Sequence, residues 1–315
     1  MARRMRTITL GTRKSNLALK QTEWVQKELE KLDLPYRFEV KKISTKGDRV
    51  LDRTLSKVGG KGLFVKEIEQ ALTDGEIDIA VHSMKDLPGE MAEGFEVGAM
   101  TNRVDPRDAY IANDHVKFHN LPLGAVIGTS SLRRTSQIKA ERPDLNVQWI
   151  RGNIETRLRK LREESFDAII LAAAGLERMG WSDEIVTEFL DPAMCVPAVG
   201  QGALGIECRS GDEDILKIIQ HLHDEPVAVC VAAERAFLKA VEGGCAVPIG
   251  GYATLNKQGN VQLTAMIGST DGKNILREKL TGDNPEDMGK KAAHALLGRG
   301  GKEILEQARE EMGEE

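Results

Sequence analysis

Aromatic residues are scarce in this chain of 315 residues: 7 Phe, 3 Trp and 3 Tyr make up 4% of it, although 41% of the residues are hydrophobic. The predicted cores are therefore aliphatic, and the length is sufficient for two or three domains. The net charge of -5 at pH 7 argues against a general nucleic-acid-binding protein, because such proteins present basic surfaces and aromatic rings that stack on bases. A local basic cleft is compatible with this composition.

Long apolar segments are missing as well. Runs such as "AIILAAAGL" are far shorter than the roughly 18 residues that a membrane-spanning helix needs. The N-terminal sequence "MARRMRTITLGTRKS" is charged but has no apolar core, so we expect no secretory signal. These absences predict a protein that does not associate with a membrane.

Cysteine is also sparse, with 4 residues at positions 195, 208, 230 and 245. They are too few for a disulfide scaffold, and no Cys-x-x-Cys pair provides the spacing of a structural zinc site. The 6 histidines form no metal-binding pattern either. We therefore expect no metal site and a location in the reducing cytoplasm.

Strands, loops and helices alternate along the first two-thirds of the chain. Apolar periodicity predicts helices over 16–32, 63–73, 132–142 and 154–163. The predicted strands are "TITL", "RFEVKKI", "EIDIAVHS", "GAVIG", "NVQWI" and "FDAIILAAAG". The last of these is nearly continuous in apolar residues, as is typical of a strand inside a parallel sheet. The alternation indicates α/β architecture in two lobes.

The pattern changes from about Asp224. A helix over 224–241 precedes three strands, "GYATL", "NVQLTAMIG" and "NILREKL", which are joined by the turns "NKQGN" and "STDGK". Two helices close the chain. This order predicts a small α+β C-terminal domain with a three-stranded antiparallel sheet.

Cations flank the starts of three predicted helices, although acidic residues are preferred at the positive end of a helix. An anion between the cations would remove this conflict, because free N–H groups and arginine together form an anion site. In an open α/β sheet such loops gather at the carboxyl ends of the strands, so three of them predict a polyanion-binding cleft. The alternative for each loop is a solvated surface. The cations concerned are Arg13, Lys14, Arg133, Arg134, Arg151 and Arg157.

Two further residues carry alternative interpretations. Asp86 in "VHSMKDLP" is either a turn or cap residue, or a carboxylate that stabilises a cation or transfers a proton at the cleft. Cys245 in "EGGCAVPIGGYA" lies between glycine pairs, which indicates either a tight turn with a passive thiol or an attachment point for a bulky group. His82, at the end of an apolar strand, is interpreted as a core histidine.

Two glycine-rich segments resemble nucleotide-binding motifs without their context. "GQGALG" is followed by the strand-like "IECR" rather than a helix, so it does not indicate a dinucleotide site. "VGGKGLF" lacks the spacing of a phosphate-binding loop and is interpreted as a mobile lid, with an ordinary surface loop as the alternative.

Nine stretches together resemble the porphobilinogen deaminase family, whose members are also called hydroxymethylbilane synthases. They occur in the family's order over nearly the whole chain, most weakly beyond about Leu255. The stretches are "GTRKSNLAL", "TLSKVGGKGLFVKEIE", "DIAVHSMKDLP", "RVDPRDA", "GAVIGTSSLRRTSQI", "WIRGNIETRL", "AIILAAAGLERMG", "VPAVGQGALGIE" and "EGGCAVPIGGYA".

The resemblance implies two periplasmic-binding-protein-like lobes and a third domain that presents the cysteine loop to the cleft between them. Lobe 1 would be discontinuous and comprise residues 1–101 and 200–219. Lobe 2 would comprise residues 105–195, and the C-terminal domain residues 223–315.

The resemblance also implies a reaction. Four porphobilinogen molecules would be joined head to tail with loss of ammonia, and the product released by hydrolysis as linear hydroxymethylbilane. A dipyrromethane cofactor, linked as a thioether to Cys245, would prime the chain, and the glycines around this cysteine would leave room for it. The family suggests a monomer that binds porphobilinogen as its small-molecule substrate.

The family's functional residues match positions of this sequence one by one. Asp86 matches the catalytic aspartate, and Cys245 the cofactor-attachment cysteine. The implied cofactor-binding residues are Ser83, Lys85, Thr129, Ser130, Ser131, Arg133, Arg134 and Arg157. The implied substrate-binding residues are Arg13, Ser15, Lys57, Lys61, Phe64, Arg151 and Arg178. The other three cysteines are expected to be buried and without function.

Two other functions compete with this hypothesis. A non-catalytic anion-binding module explains the arginine-containing loops but gives no role to Asp86 or Cys245. A DNA-binding protein would use the basic helix after Ser131, but the negative net charge speaks against it.

Overall fold

A computed structural model describes residues 5–45, 65–242 and 247–313 of the chain. The strands of this part are β1 Arg6–Arg13, β2 Tyr36–Ile43, β3 Ile79–Ser83, β4 Phe95–Met100, β5 Asp108–Ala112, β6 Val126–Gly128, β7 Asn146–Gln148, β8 Ala168–Ala172, β9 Glu188–Phe189, β10 Leu204–Arg209, β11 Ile249–Leu255, β12 Val261–Gly268 and β13 Ile275–Gly282. The helices are α1 Asn16–Glu30, α2 Lys66–Thr73, α3 Leu132–Glu141, α4 Ile154–Glu163, α5 Ala173–Met179, α6 Ser182–Ile185, α7 Glu213–Ile219, α8 Glu225–Ala240, α9 Pro285–Leu296 and α10 Lys302–Met312.

Two five-stranded sheets share one topology. The first has the order β2-β1-β3-β10-β4 and the second β7-β6-β8-β5-β9. In each sheet the first three strands are parallel, and the fourth is antiparallel to both of its neighbours. The chain therefore crosses twice between the lobes, since β10 follows the strands of the second sheet but lies in the first. The predicted α/β fold with two lobes is confirmed, while the proposed domain boundaries stay a prediction.

Each lobe has its own aliphatic core. Ile8 and Leu10 of β1, Ile79 of β3 and Ile206 of β10 are completely buried in the first lobe. In the second lobe, alternate residues of β8 face opposite sides of the sheet, so that Ile170 and Ile169 enter separate cores. Burial of such a side chain stabilises the folded state by about 1.5–3 kcal/mol, which explains why these apolar strands occupy the centre of each sheet.

The C-terminal domain packs α8 and α9 on the antiparallel sheet β11-β12-β13, as predicted. The Asp224 side chain caps α8 by accepting a hydrogen bond from the Val227 amide at 3.0 Å. Gly289 allows α9 to approach α8 closely, because a Cβ atom there would lie 2.5 Å from the carbonyl oxygen of Ala233. In the part of the chain that the structure describes, no helix is long and apolar enough to span a membrane.

One predicted strand continues as a helix in the structure. Residues 166–175 were expected to form a continuous strand, but β8 ends at Ala172 and α5 begins at Ala173. Alanine favours a helix once the sheet ladder ends, so the small residues of this run divide between the two elements. Gly175 of α5 then lies at the junction of the lobes, where a Cβ atom would be 3.6 Å from Cδ2 of Leu17.

Candidate functional site

The first group of predicted site residues lies where β1 and β3 end. Arg13 is the last residue of β1, and the Ser15 hydroxyl caps α1 by accepting a hydrogen bond from the Ala18 amide at 3.3 Å. The turn at residues 84–86 follows β3 and leaves Asp86 exposed. Arg13, Ser15, Ser83 and Asp86 line one cavity of about 50 Å³, so the structure brings a carboxylate, a guanidinium and two hydroxyl groups together.

Buried neighbours fix the geometry of this turn. Met84 is buried, and its amide donates a hydrogen bond to the carbonyl of Ala203 at 3.0 Å. Gln21, which the sequence analysis missed, donates to the Ser83 hydroxyl at 3.0 Å. With Met84 held inside, the chain presents Asp86 to the cavity and leads Lys85 toward the junction of the lobes.

Lys85 lies in a strongly charged environment. Its Nζ donates a hydrogen bond to Oε1 of Gln201 at 3.3 Å. Burial lowers the pKa of Lys85 to about 8, with Asp86 opposing this shift and Arg134 adding to it. Lys85 is therefore a cation that a bound anion would stabilise.

The second group follows β6 in the other lobe. Thr129 accepts a hydrogen bond from the Ser131 amide at 3.2 Å, and Ser131 in turn caps α3. Ser130 donates to the carbonyl of Ile150 at 2.5 Å, which ties this loop to the one after β7. The three hydroxyl residues thus shape the loop that leads into Arg133 and Arg134.

Arg133 and Arg134 lie against a carboxylate of the protein itself. Arg133 Nη1 contacts Oδ2 of Asp108 at 2.7 Å, and Arg134 Nη2 contacts Oδ1 at 2.7 Å. All three side chains are buried. Burial alone would raise the pKa of Asp108, but the charges and hydrogen bonds of the two arginines hold it well below its usual range. Asp108 therefore supplies an anion that the cation-rich helix start requires.

Three further arginines follow the ends of β7 and β8. The guanidinium carbon of Arg151 lies 6.0 Å from the ring centre of Trp149. Arg157 Nε donates to the carbonyl of Gly152 at 2.8 Å, and Arg178 Nη2 donates to that of Gly202 at 2.8 Å.

These arginines include two whose positive charge is disfavoured. Burial lowers the pKa of Arg157 to about 10, and the charges of Arg134 and Arg151 add to the shift. Burial likewise lowers the pKa of Arg178 to about 10, with Glu177 in opposition. A negatively charged ligand would relieve both penalties, so the set of side chains suits a molecule with several carboxylates.

The lobes also meet beside these loops. Asn16, at the start of α1, donates a hydrogen bond from Nδ2 to Oε1 of Glu155, in the first turn of α4, at 2.8 Å. Cys245, Lys57, Lys61 and Phe64 lie outside the described residues, and their predicted roles stay predictions.

His82 is a core histidine, and the three described cysteines are buried, as expected. His82 is buried, with Nε2 at 2.7 Å from Oε2 of the buried Glu207. Cys195, Cys208 and Cys230 are free and buried, and burial raises their pKa values to about 12, 12 and 11. Thiols with raised pKa values form little thiolate, so these three are poor nucleophiles. No group of three or more side chains suited to a metal ion occurs in residues 5–45, 65–242 and 247–313.

The fold and these side chains define a two-lobed α/β protein with cations concentrated at the carboxyl ends of its parallel strands. A model described as "Porphobilinogen deaminase, dipyromethane cofactor binding domain" matches residues 8–217, and one described as "Porphobilinogen deaminase, C-terminal domain" matches residues 228–298. The chain belongs to the porphobilinogen deaminase family.

Relatives named porphobilinogen deaminase match along nearly their whole length. The protein of Halalkalibacterium halodurans is 62% identical and aligned over 97% of this chain and 98% of its own. That of Bacillus cereus strain G9842 is 59% identical over 98% of this chain and 100% of its own. That of Oceanobacillus iheyensis is 58% identical over 98% and 99%. Among solved structures, the methionine-binding protein MetQ is 13% identical, with a TM-score of 0.46 over 73% of this chain and 94% of its own.

Proposed function

We propose that this protein is a transferase that joins four porphobilinogen molecules head to tail, releases ammonia at each step and hydrolyses the product to linear hydroxymethylbilane. The proposal rests on the cavity lined by Arg13, Ser15, Ser83 and Asp86, in a chain of which 97% aligns with a porphobilinogen deaminase. An acidic side chain beside carboxylate-binding groups is what this chemistry requires.

Asp86 is proposed as the catalytic residue. Positive charge develops on the substrate as its amino group leaves as ammonia, and a fixed carboxylate stabilises such charge in the transition state. The same carboxylate can accept a pyrrole proton when the new carbon–carbon bond has formed. Arg13 and Ser15 line the same cavity and would bind the acetate and propionate groups of the substrate. Lys57, Lys61, Phe64, Arg151 and Arg178 are the other proposed substrate-binding residues.

The side chains of the site fit a dipyrromethane cofactor. This group carries two pyrroles with an acetate and a propionate each, and the disfavoured cations Lys85 and Arg157 would be stabilised by such anions. When bound, it supplies the pyrrole carbon from which the chain grows. Arg133 and Arg134 and the hydroxyl groups of Ser83, Thr129, Ser130 and Ser131 would hold its carboxylates. The attachment through Cys245 is proposed from the family resemblance.

We further propose a cytoplasmic monomer that binds neither nucleic acid nor membranes. The three free, buried cysteines of the described chain support a reducing compartment. The proposed lobes remain residues 1–101 with 200–219 and residues 105–195, and the C-terminal domain residues 223–315.

The experiment that tests this proposal measures how many ammonia molecules are released for each tetrapyrrole formed. Purified protein is incubated with porphobilinogen, and the released ammonia is measured together with hydroxymethylbilane, detected as uroporphyrin I after cyclisation and oxidation. The proposal predicts four ammonia molecules for each tetrapyrrole. A protein that binds porphobilinogen without releasing ammonia would instead be a non-catalytic anion-binding module.

A further inference from the structure

Gln201 lies where the chain crosses between the lobes. Residues 101–107 lead from β4 to β5, and residues 190–203 lead back from β9 to β10. Gln201 belongs to the returning segment and is only 1% exposed, within the "GQGALG" motif. A buried amide in a glycine-rich connection requires polar partners, since an unsatisfied amide would destabilise the fold.

Both polar atoms of the Gln201 side-chain amide have hydrogen-bond partners, and the partners of the nitrogen belong to a different lobe from the partner of the oxygen. Nε2 donates to the carbonyl of Pro106 at 2.7 Å and to Oδ1 of Asp108 at 3.0 Å. Oε1 accepts from Nζ of Lys85 at 3.3 Å. The amide cannot be reversed, because Asp108 offers only acceptors and Lys85 only donors.

Asp108 extends this connection to the arginine pair. Its Oδ1 accepts from Arg134 Nε at 3.1 Å and from Arg133 Nη2 at 3.2 Å, in addition to Gln201. One hydrogen-bonded path therefore joins Lys85, which precedes Asp86 in lobe 1, to Arg133 and Arg134 in lobe 2.

We propose that Gln201 is a positioning residue, which keeps the Lys85 ammonium in place and in register with the Asp108-bound arginine pair across the junction of the lobes. The inference rests on the proposed function, since it assigns these cations to one multivalent anionic ligand. It gives a role to a glutamine that the motif alone left unexplained.

The electrostatics give this role a measurable consequence. A hydrogen bond to its charged form stabilises the Lys85 ammonium and raises its pKa, which burial holds at about 8. Asp86 and Asp108 also favour the ammonium, whereas Arg133 and Arg134 disfavour it. Loss of the Gln201 oxygen therefore lowers the pKa of Lys85, so that Lys85 loses its proton at a lower pH.

The test compares Gln201→Leu with Gln137→Leu. Gln137 is equally buried and bonds to the backbone of Arg133 and Val196, but it makes no hydrogen bond to Lys85 or Asp108. We expect Gln201→Leu to move the alkaline limb of the kcat/KM profile at least about 0.5 pH units lower and to raise KM more than it lowers kcat. Gln137→Leu should leave the position of that limb unchanged even if stability falls.

Three outcomes are decisive. An unchanged alkaline limb and KM in folded Gln201→Leu would overturn the inference, as would an equal shift in Gln137→Leu. Identical kcat/KM profiles and KM values in Lys85→Met and in the Lys85→Met, Gln201→Leu double variant would support it, because Gln201 would then act only through Lys85. If Gln201→Leu does not fold, the unbranched Gln201→Met is judged by the same profile. If wild-type protein releases no ammonia, the proposed function fails instead.

Discussion

Asp108 and Arg133 form a buried ion pair beneath the proposed cofactor site, with 2.7 Å between Oδ2 and Nη1. Arg134 binds the other oxygen of the same carboxylate at 2.7 Å. One buried carboxylate thus compensates two cations, and the pair can keep its orientation without a ligand. Pre-organised cations of this kind need no rearrangement when an anion binds.

Asp108→Asn removes the charge that the two arginines share. We expect the free energy of unfolding to fall by about 3–5 kcal/mol, because two buried cations lose their counterion. Denaturant unfolding measures the loss. Asp144→Asn is the matched control, since Asp144 pairs with Arg142 near the surface of the same lobe and should matter far less. Equal stabilities of the two variants would contradict this role of Asp108.

The lowered pKa of Asp108 predicts how the free energy of unfolding depends on pH. Its pKa is depressed in the folded protein, so its contribution is present above the unfolded-state pKa of about 4 and is lost as the pH falls below that value. Unfolding curves recorded from pH 7 to pH 3 should show stability decreasing less steeply in Asp108→Asn than in wild type. Parallel curves would argue against a buried, ionised Asp108.

Asp86→Asn should separate catalysis from stability. Asp86 is exposed, so its replacement should barely change the unfolding midpoint. Ammonia release in a single turnover should slow by about 100-fold or more, because the carboxylate no longer stabilises the developing positive charge. Asp74→Asn, an exposed aspartate at the end of α2, is the control and should keep the wild-type rate. Normal turnover of Asp86→Asn would remove Asp86 from the mechanism.

Arg157→Leu should weaken cofactor loading without destabilising the fold. Burial disfavours the Arg157 charge, so an apolar replacement should leave the free energy of unfolding unchanged or higher. The fraction of protein that acquires cofactor from porphobilinogen, measured by intact mass, should decrease. Arg159→Leu on the same helix, where Arg159 is exposed and pairs with Glu163, should load normally. Equal loading of both variants would count against a ligand-binding role.

Asn16→Ala tests the contact between the lobes. The bond from Asn16 to Glu155 joins α1 to α4 at the surface, so its loss should cost about 1 kcal/mol or less. We expect a more open arrangement, seen as an increased radius of gyration in small-angle X-ray scattering. Gln70→Ala removes a similar exposed bond within α2 alone and should leave the radius unchanged. An unchanged radius in Asn16→Ala would show that other contacts hold the lobes together.

The alternation of strands and helices could be predicted because hydrophobic periodicity is local. Helix α4 spans the predicted residues 154–163, and the three C-terminal strands lie within about two residues of their predicted bounds. The place of β10 could not be derived from this pattern, because an apolar strand carries no label for the sheet it joins. The end of β8 was missed because alanine is compatible with both a strand and a helix.

The cations of the site were visible in the sequence, but their protein partners were not. Arg133 and Arg134 stood out at a helix start, whereas Asp108 was not among the candidate residues. Only tertiary structure shows that Asp108 is buried beside them and bound by Gln201. The available signal was that Asp108 is a charged residue at the start of the apolar run "DAYIA". A charged side chain is rarely buried unless it is paired, so this position indicated a buried cation beside it.

The most direct test of the proposed function is the intact mass of the denatured protein after incubation with porphobilinogen, followed by mapping of the modified peptide. We predict a mass excess of two pyrrole units on the peptide that contains Cys245. Cys245→Ser should lack it, and the control Cys230→Ser, at a buried cysteine, should retain it. If wild-type protein still has only the mass of its polypeptide after this incubation, the cofactor-primed mechanism is contradicted.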